Sequence, residues 1–303
     1  MTRDRLERAR ERFAGDAFAR WLGVVIAELA DDRAALRLPS REEHLNARGV
    51  LQGGASAALV TMAATLAAWT GVDLDADLQL ACVDLSVQYL ASAAHEDVVA
   101  EARTLRRGRS LVVLEVALRT AAGARTCHGL VSYQTADHGG HTPRVSARPA
   151  LLPAPTTLAP PSGARLFRGY VAKLGIAPLH DDSGRVRLRM PCTPTHVDER
   201  GQLHAGALAS IVDIAAVAAS WSLVPRRDGA RGSTIGLQVS YPSAAAEAVV
   251  ADAHVQQRSE DLLFSTVHVT GAESGRLVAM GQVSYRLLEP WPEESNMPGR
   301  EHR

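Results

Sequence analysis

The chain carries no excess charge of either sign: 33 lysines and arginines balance 33 aspartates and glutamates over 303 residues. A protein whose main business is gripping a phosphate backbone needs a basic surplus, so nucleic-acid binding is not expected. Cysteine is scarce. The three residues, Cys82, Cys127 and Cys192, form no CxxC pair and are odd in number. They imply neither a disulfide framework nor a structural zinc site. No uninterrupted apolar run reaches the roughly 20 residues that a bilayer span requires. The opening segment, Met1 to Phe13, is densely charged and lacks the apolar core of a secretory signal. A soluble, reduced, cytoplasmic protein without metal or redox cofactor is the expectation.

What is present is a repeat. Shifting the sequence by 152 positions places Leu22-Gly23 on Leu174-Gly175, His44 on His196 and Arg48-Gly49 on Arg200-Gly201. The same shift places Trp69 on Trp221, Tyr89 on Tyr241, and Val131-Ser132-Tyr133 on Val283-Ser284-Tyr285. One offset held without a gap over so much chain marks two copies of one unit. Between them, residues 137–164 hold six of the fifteen prolines and read as an extended linker. The organisation expected is repeat 1 over 1–136, the linker over 137–164, repeat 2 over 165–290, and a polar tail over 291–303. His138 and His141 form an HxxH in the linker, but without a third ligand they are read as linker polarity.

Each unit has the same coarse pattern. Residues 3–20 place apolar side chains at helical spacing among charges and predict a surface helix. Val24–Leu38 predicts two strands around an Asp31-Asp32 turn. Ala55–Trp69 and its copy Ala207–Trp221 are apolar on all sides, so each predicts a helix buried on all sides. Asp84–Tyr89 and Gly236–Tyr241 alternate with period two, and the runs 97–106, 111–119 and 125–134 with their copies complete a set of strands. The expected class is α+β, with an antiparallel sheet around a central buried helix in each half.

The segment running into the first buried helix contains Asn46, Gly49, Gln52, Gly53 and Gly54; its copy contains Asp198, Gly201, His204, Ala205 and Gly206. The first amides of a helix have no partner within it, and with the helix dipole behind them they suit a carbonyl or an oxyanion. A sharp strand-to-helix turn alone would also call for glycines. Asp213 is more telling, because it sits in the middle of the apolar second helix. A buried carboxylate either finds hydrogen bonds or rises in pKa, and both outcomes suit a base or nucleophile.

The pattern N-x-x-G-x-x-H-G-G followed by a helix with an acid nine positions after the His resembles the hot-dog acyl-CoA thioesterases of the PaaI and 4-hydroxybenzoyl-CoA thioesterase type, with Gln52 standing in repeat 1 where many relatives have His. The resemblance covers both repeats and implies two fused hot-dog domains forming an intrachain pseudo-dimer. It also implies active sites across the interface, each pairing one unit's helix end with the other unit's acid. Asp213 lies about 13–14 Å along its helix from His204 at ~1.5 Å per residue, so the acid should serve a helix end from elsewhere.

Carried onto this chain, the resemblance makes Asp213 the base or nucleophile, Gly53 the oxyanion donor, and Asn46 and Gln52 the groups that orient the carbonyl. It makes Thr234 the residue that aligns the water, with Cys82 as its counterpart. Gly54 joins the substrate-binding turn, and the hairpin residues Arg106, Arg107 and Arg109 resemble a grip on the nucleotide of coenzyme A. Repeat 1 has Thr61 at the acid position, while repeat 2 has Asp198 for Asn46 and Ala205 for Gly53. Thr61, Asp198 and His204 would therefore form a degenerate second site, leaving one working site per chain. The substrate expected is an acyl-CoA or an acyl-carrier-protein thioester, with coenzyme A entering only as part of the substrate. Pseudo-dimers of this kind often associate further, so a homodimer is an open expectation. Two rivals remain: an acyl-CoA-binding scaffold that has shed catalysis, and a hydratase or dehydratase. The second lacks the Asp-x4-His and His-Phe-Pro segments of those branches.

Overall fold

The computed structural model describes residues 2–46, 48–72, 79–136, 166–224 and 230–288. The linker expected over 137–164, its HxxH and the tail over 291–303 lie outside the described residues.

Repeat 1 runs α1 (Thr2–Gly15), α2 (Ala17–Leu22), β1 (Val25–Ala30), β2 (Arg33–Leu38), α3 (Gly53–Thr70), β3 (Gln79–Tyr89), β4 (Val98–Arg107), β5 (Leu111–Thr120) and β6 (Arg125–Ala136). Repeat 2 runs α4 (Tyr170–Lys173), β7 (Ala177–Asp182), β8 (Arg185–Met190), α5 (Ala205–Ser222), β9 (Arg231–Ser240), β10 (Val249–Ser259), β11 (Leu262–Gly271) and β12 (Leu277–Leu288). The strands expected from alternation fall where they were read. The opening helix does not stay whole. Asp16 breaks it, its side chain accepting the Ala19 amide at 2.9 Å to cap α2. An aspartate in extended backbone with a free amide three residues on is a favoured N-cap, and that local bond outweighs continuing the helix.

Among the described residues all strands join one antiparallel sheet in the order β1-β2-β4-β5-β6-β3-β9-β12-β11-β10-β8-β7. The halves meet at β3 and β9, where Ser86 pairs with Gln238, its own counterpart 152 residues on. A local twofold axis therefore passes through that pair. The sheet wraps α3 and α5, which are built of alanine, leucine and valine and buried nearly throughout. Both are apolar enough over 18 residues to resemble membrane spans, but here they are the core of the protein.

The two helices touch backbone to backbone. A Cβ on Gly54 would lie 2.8 Å from the Ser210 Cα, and one on Gly206 would lie 2.8 Å from the Ala58 Cα. Glycine at this position in both copies is what allows the helix of one repeat to press its N-terminus against the middle of the other. This is the double hot-dog architecture.

Candidate active site

The crossing of α3 and α5 decides what meets at the site. Asp213, two turns into α5, points at the first residues of α3 from the other repeat. A Cβ on Gly53 would sit 2.8 Å from Asp213 Oδ2, so only a glycine admits the carboxylate this close. Thr234 on β9 donates its hydroxyl to Asp213 Oδ1 at 2.7 Å, and the Gly54 amide donates to the same carboxylate. Burial pushes the Asp213 carboxyl up to about 6, with the Thr234 and Gly54 donors pulling the other way. Thr234 thus acts on the acid itself, its hydroxyl hydrogen spent on the carboxylate rather than on a water.

Tyr89, at the end of β3, donates its hydroxyl to the Gly53 carbonyl at 2.9 Å. That carbonyl belongs to the same peptide group as the Gly54 amide, so the peptide is held by a phenol on one side and by Asp213 on the other. The Ser210 hydroxyl lies 2.7 Å from the Gly206 carbonyl of its own helix and 3.0 Å from the Gly54 carbonyl, sharing its one hydrogen between them, and meets the Tyr170 hydroxyl at 2.8 Å. Neither Tyr89, Tyr170 nor Ser210 was singled out as a site residue from sequence. The matching of Tyr89 with Tyr241 at the strand ends was the available signal, since Tyr241 likewise donates to the Ala205 carbonyl at 3.1 Å.

A cavity of about 710 Å³ opens onto this junction, and Asn46, Gln52, Gly53, Asp213 and Thr234 all line it. The Asn46 side-chain oxygen accepts the Arg48 and Val50 amides at 2.9 and 3.3 Å, so only its NH2 group is left to serve a substrate. Gln52 is buried and precedes α3 without capping it. From Asp213 the cavity follows one face of α5 past Val217 and Trp221, spaced four residues apart. Trp221 closes that face by donating its indole N–H to the Tyr285 hydroxyl at 2.9 Å. Among the described residues no group of three or more His, Cys, Asp and Glu side chains assembles as a metal site.

The other helix end is built differently. Thr61, at the acid position, faces Gly206 but spends its hydroxyl on the Ala58 carbonyl of its own helix at 2.8 Å. His204 caps α5, its Nδ1 accepting the Gly206 amide at 2.9 Å, which leaves Nε2–H for the Asp16 carboxylate at 3.3 Å. Phe18 packs over the same imidazole with ring centroids 5.1 Å apart. The α2 segment therefore occupies the space beside this helix end. The Asp198 carboxylate accepts the Arg200 and Gln202 amides, the same loop turn that Asn46 makes, so a charge stands where repeat 1 has a neutral carboxamide. Burial favours a neutral Asp16, but His204 and the Ala19 amide outweigh it and hold the carboxyl below its usual range. Burial likewise works against a charged His204, and Asp16 outweighs that too, shifting the imidazole up. Replacing Asp16 by alanine would orphan a buried imidazole N–H and uncap α2. The expected loss is about 3 kcal/mol of unfolding free energy, measured by denaturant titration.

One expected group is not at the site. Arg107 donates to Asp32 and to the Ala68 carbonyl at the C-terminal end of α3. That end lies some 22 Å from Gly53 at ~1.5 Å per residue. Arg106 and Arg109 are exposed on the same hairpin, and none of the three lines the cavity. Arg107 is committed because an aspartate turn and a helix C-terminus both attract a cation. The cations that do line the cavity are Arg48 and Arg168.

The chain is similar to known proteins in sequence and in fold. The thioesterase superfamily profile matches residues 48–127, the stretch that carries Gln52, Gly53, Gly54 and Tyr89. Human acyl-coenzyme A thioesterase 13 is 31% identical over 126 residues, spanning 41% of this chain and 86% of that protein. Among solved structures, a hot-dog-fold protein of unknown function from Alicyclobacillus acidocaldarius superposes with a TM-score of 0.62 at 15% identity, over 92% of this chain and 98% of that one. The structure of a thioesterase II from Thermobifida fusca gives a TM-score of 0.63 at 16% identity, over 89% and 98% of the two chains. At that identity the structural likeness speaks for the fold, and the sequence relatives speak for the family. The chain belongs to the thioesterase superfamily.

Proposed function

We propose that the protein hydrolyses an acyl-CoA thioester at one composite site per chain, with repeat 1 supplying the carbonyl clamp and repeat 2 supplying the acid. The observation that carries this reading is the Asp213 carboxylate lying against Gly53 and Gly54 of the other repeat while its counterpart, Thr61, brings no carboxylate to Gly206. Coenzyme A as the thiol is supported by the name of the human relative. An acyl-carrier-protein thioester would fit the same clamp.

In this mechanism the thioester oxygen accepts from the Gly53 amide, which as the first residue of α3 has no acceptor within its helix, and from the Asn46 or Gln52 carboxamide. Asp213 takes a proton from water as its oxygen bonds to the carbonyl carbon. The tetrahedral intermediate then collapses, the C–S bond breaks, and the leaving sulfur receives that proton. Alternatively, the carboxylate attacks the carbonyl itself, the C–S bond breaks and the thiolate leaves to be protonated by solvent, and water then hydrolyses the resulting anhydride to the acid and the free carboxylate. Label found in Asp213 after a single turnover in 18O-water identifies the second route, since only an anhydride opened at the aspartyl carbonyl places solvent oxygen in the side chain.

A carboxylate near 6 imposes a pH profile. The ionised form is the reactive one in either route, so kcat/KM is expected to be flat above the Asp213 pKa of about 6 and to fall about tenfold per pH unit below it. A profile independent of pH between 4 and 8 would exclude Asp213 as the titrating group. The composite-site reading is tested by thiol release over a panel of acyl-CoAs. Wild type should turn over at least one of them, and Thr61→Ala should keep at least roughly a tenth of that rate, because the hydroxyl it removes serves only its own helix. Tight acyl-CoA binding without turnover would instead make the protein a scaffold.

A further inference from the structure

The two ends of the pseudo-dimer differ in more than the acid. Arg48 has Arg200 as its counterpart, and Arg168 has Asp16. At the end without an acid both charges are neutralised within the fold: Arg200 Nη2 lies 3.3 Å from the Asp198 carboxylate, and Asp16 meets His204. At the cavity the residue matching Asp198 is neutral Asn46 and the residue matching His204 is neutral Gln52, so the counter-ions of the other end are missing; Asp181 and Asp213 also line the cavity, but among the described residues neither forms an ion pair with Arg48 or Arg168. Arg48 and Arg168 both line the cavity, both are exposed, and among the described residues neither guanidinium makes an ion pair. Arg48 belongs to the loop entering α3 of repeat 1; Arg168 stands just before α4 of repeat 2.

We propose that Arg48 and Arg168 form an anion-binding pair at the mouth of the cavity that takes the charged end of the substrate, a phosphate of the thiol or a carboxylate carried by the acyl group. A guanidinium that keeps its five donors free and faces a ligand cavity suits an oxyanion. Cations supplied by both repeats would also fix which way a phosphate-bearing thiol enters, with its phosphates at the arginines and the acyl group along Val217 and Trp221. The pair replaces the Arg106–Arg109 hairpin as the chain's phosphate grip. The inference rests on the thioesterase reading for its substrate, but not for its binding chemistry.

The test compares one acyl group on coenzyme A and on N-acetylcysteamine, which lacks phosphates, in Arg48→Gln, Arg168→Gln and the double variant. The ratio of kcat/KM between the two thiols should fall about tenfold in each single variant, the loss of one charge-assisted contact, and further in the double. An ω-carboxyacyl ester of N-acetylcysteamine separates the sources. If the variants penalise that ester and spare the coenzyme A ratio, the pair holds an acyl carboxylate. Lysine at either position should recover part of the loss. Unchanged ratios for both charged substrates in the double variant overturn the proposal. Calorimetry with free coenzyme A reads the pair without turnover. A protein that binds it through these arginines yet hydrolyses nothing overturns the hydrolase reading and leaves the pair standing.

Discussion

Asp213→Asn is expected to lower kcat by about a thousandfold or more, within the range that loss of a positioned general base or nucleophile produces. The two side chains have nearly the same shape, so the effect isolates charge. The carboxamide cannot take a proton from water, yet its oxygen can accept the Gly54 amide while its NH2 donates to the Thr234 hydroxyl oxygen, so the buried groups stay paired. Substrate should still bind, since Asn46, Gln52 and the apolar face of α5 are untouched, so kcat and kcat/KM should fall together. Stability should move the other way or not at all. The native carboxylate is buried with its pKa lifted to about 6, so at neutral pH the fold bears the cost of holding a charge where an acid would be cheaper. A thermal melt of the variant at or above the wild-type Tm, beside a collapsed kcat, is the expected pair of results.

The second large effect is expected from a methyl group. Gly53→Ala places a Cβ 2.8 Å from Asp213 Oδ2 and 3.4 Å from its Cγ, closer than packed atoms tolerate at the oxygen. The carboxylate is held by Thr234 and the Gly54 amide, and making room means giving up one of those bonds. A fall in kcat of about a hundredfold is expected from this misplacement. The helix itself has no quarrel with alanine at its first position. Repeat 2 carries Ala205 there, facing Thr61 rather than an acid. Because the two substitutions act through one carboxylate, Gly53→Ala combined with Asp213→Asn should be little slower than Asp213→Asn alone. Steady-state kinetics on the three variants checks this, and additive losses would mean that Gly53 acts apart from Asp213.

The architecture was open to sequence reading because its causes are local and doubled. An alanine-rich helix without a polar face has to be buried, and one offset of 152 residues makes the second half a copy of the first. Asp213 stood out for the same reason, as a charge in a helix that offers it no water. What the sequence hid are pairings across long separations. Asp16 looked like one more charge in a surface helix, and its bond to His204, 188 residues away, appears only once α2 is folded over α5. Arg107 looked like part of a basic turn, but Asp32, 75 residues earlier, captures it. The bond from Thr234 to the carboxylate is likewise set by the register of β9, which the local sequence does not show. Arg48 and Arg168 drew no notice because an unpaired cation is recognised only when every neighbour is known.

The central claim is an asymmetry: one functional clamp, made by two halves that each lost a different part. Binding stoichiometry of a non-hydrolysable acyl-CoA, measured by calorimetry and located by a ligand-bound crystal structure, tests it most directly. One molecule per chain is expected, its carbonyl between Gly53 and Asp213 and its acyl group beside Trp221. Two molecules per chain, or one seated at Gly206 and Thr61, would contradict the account.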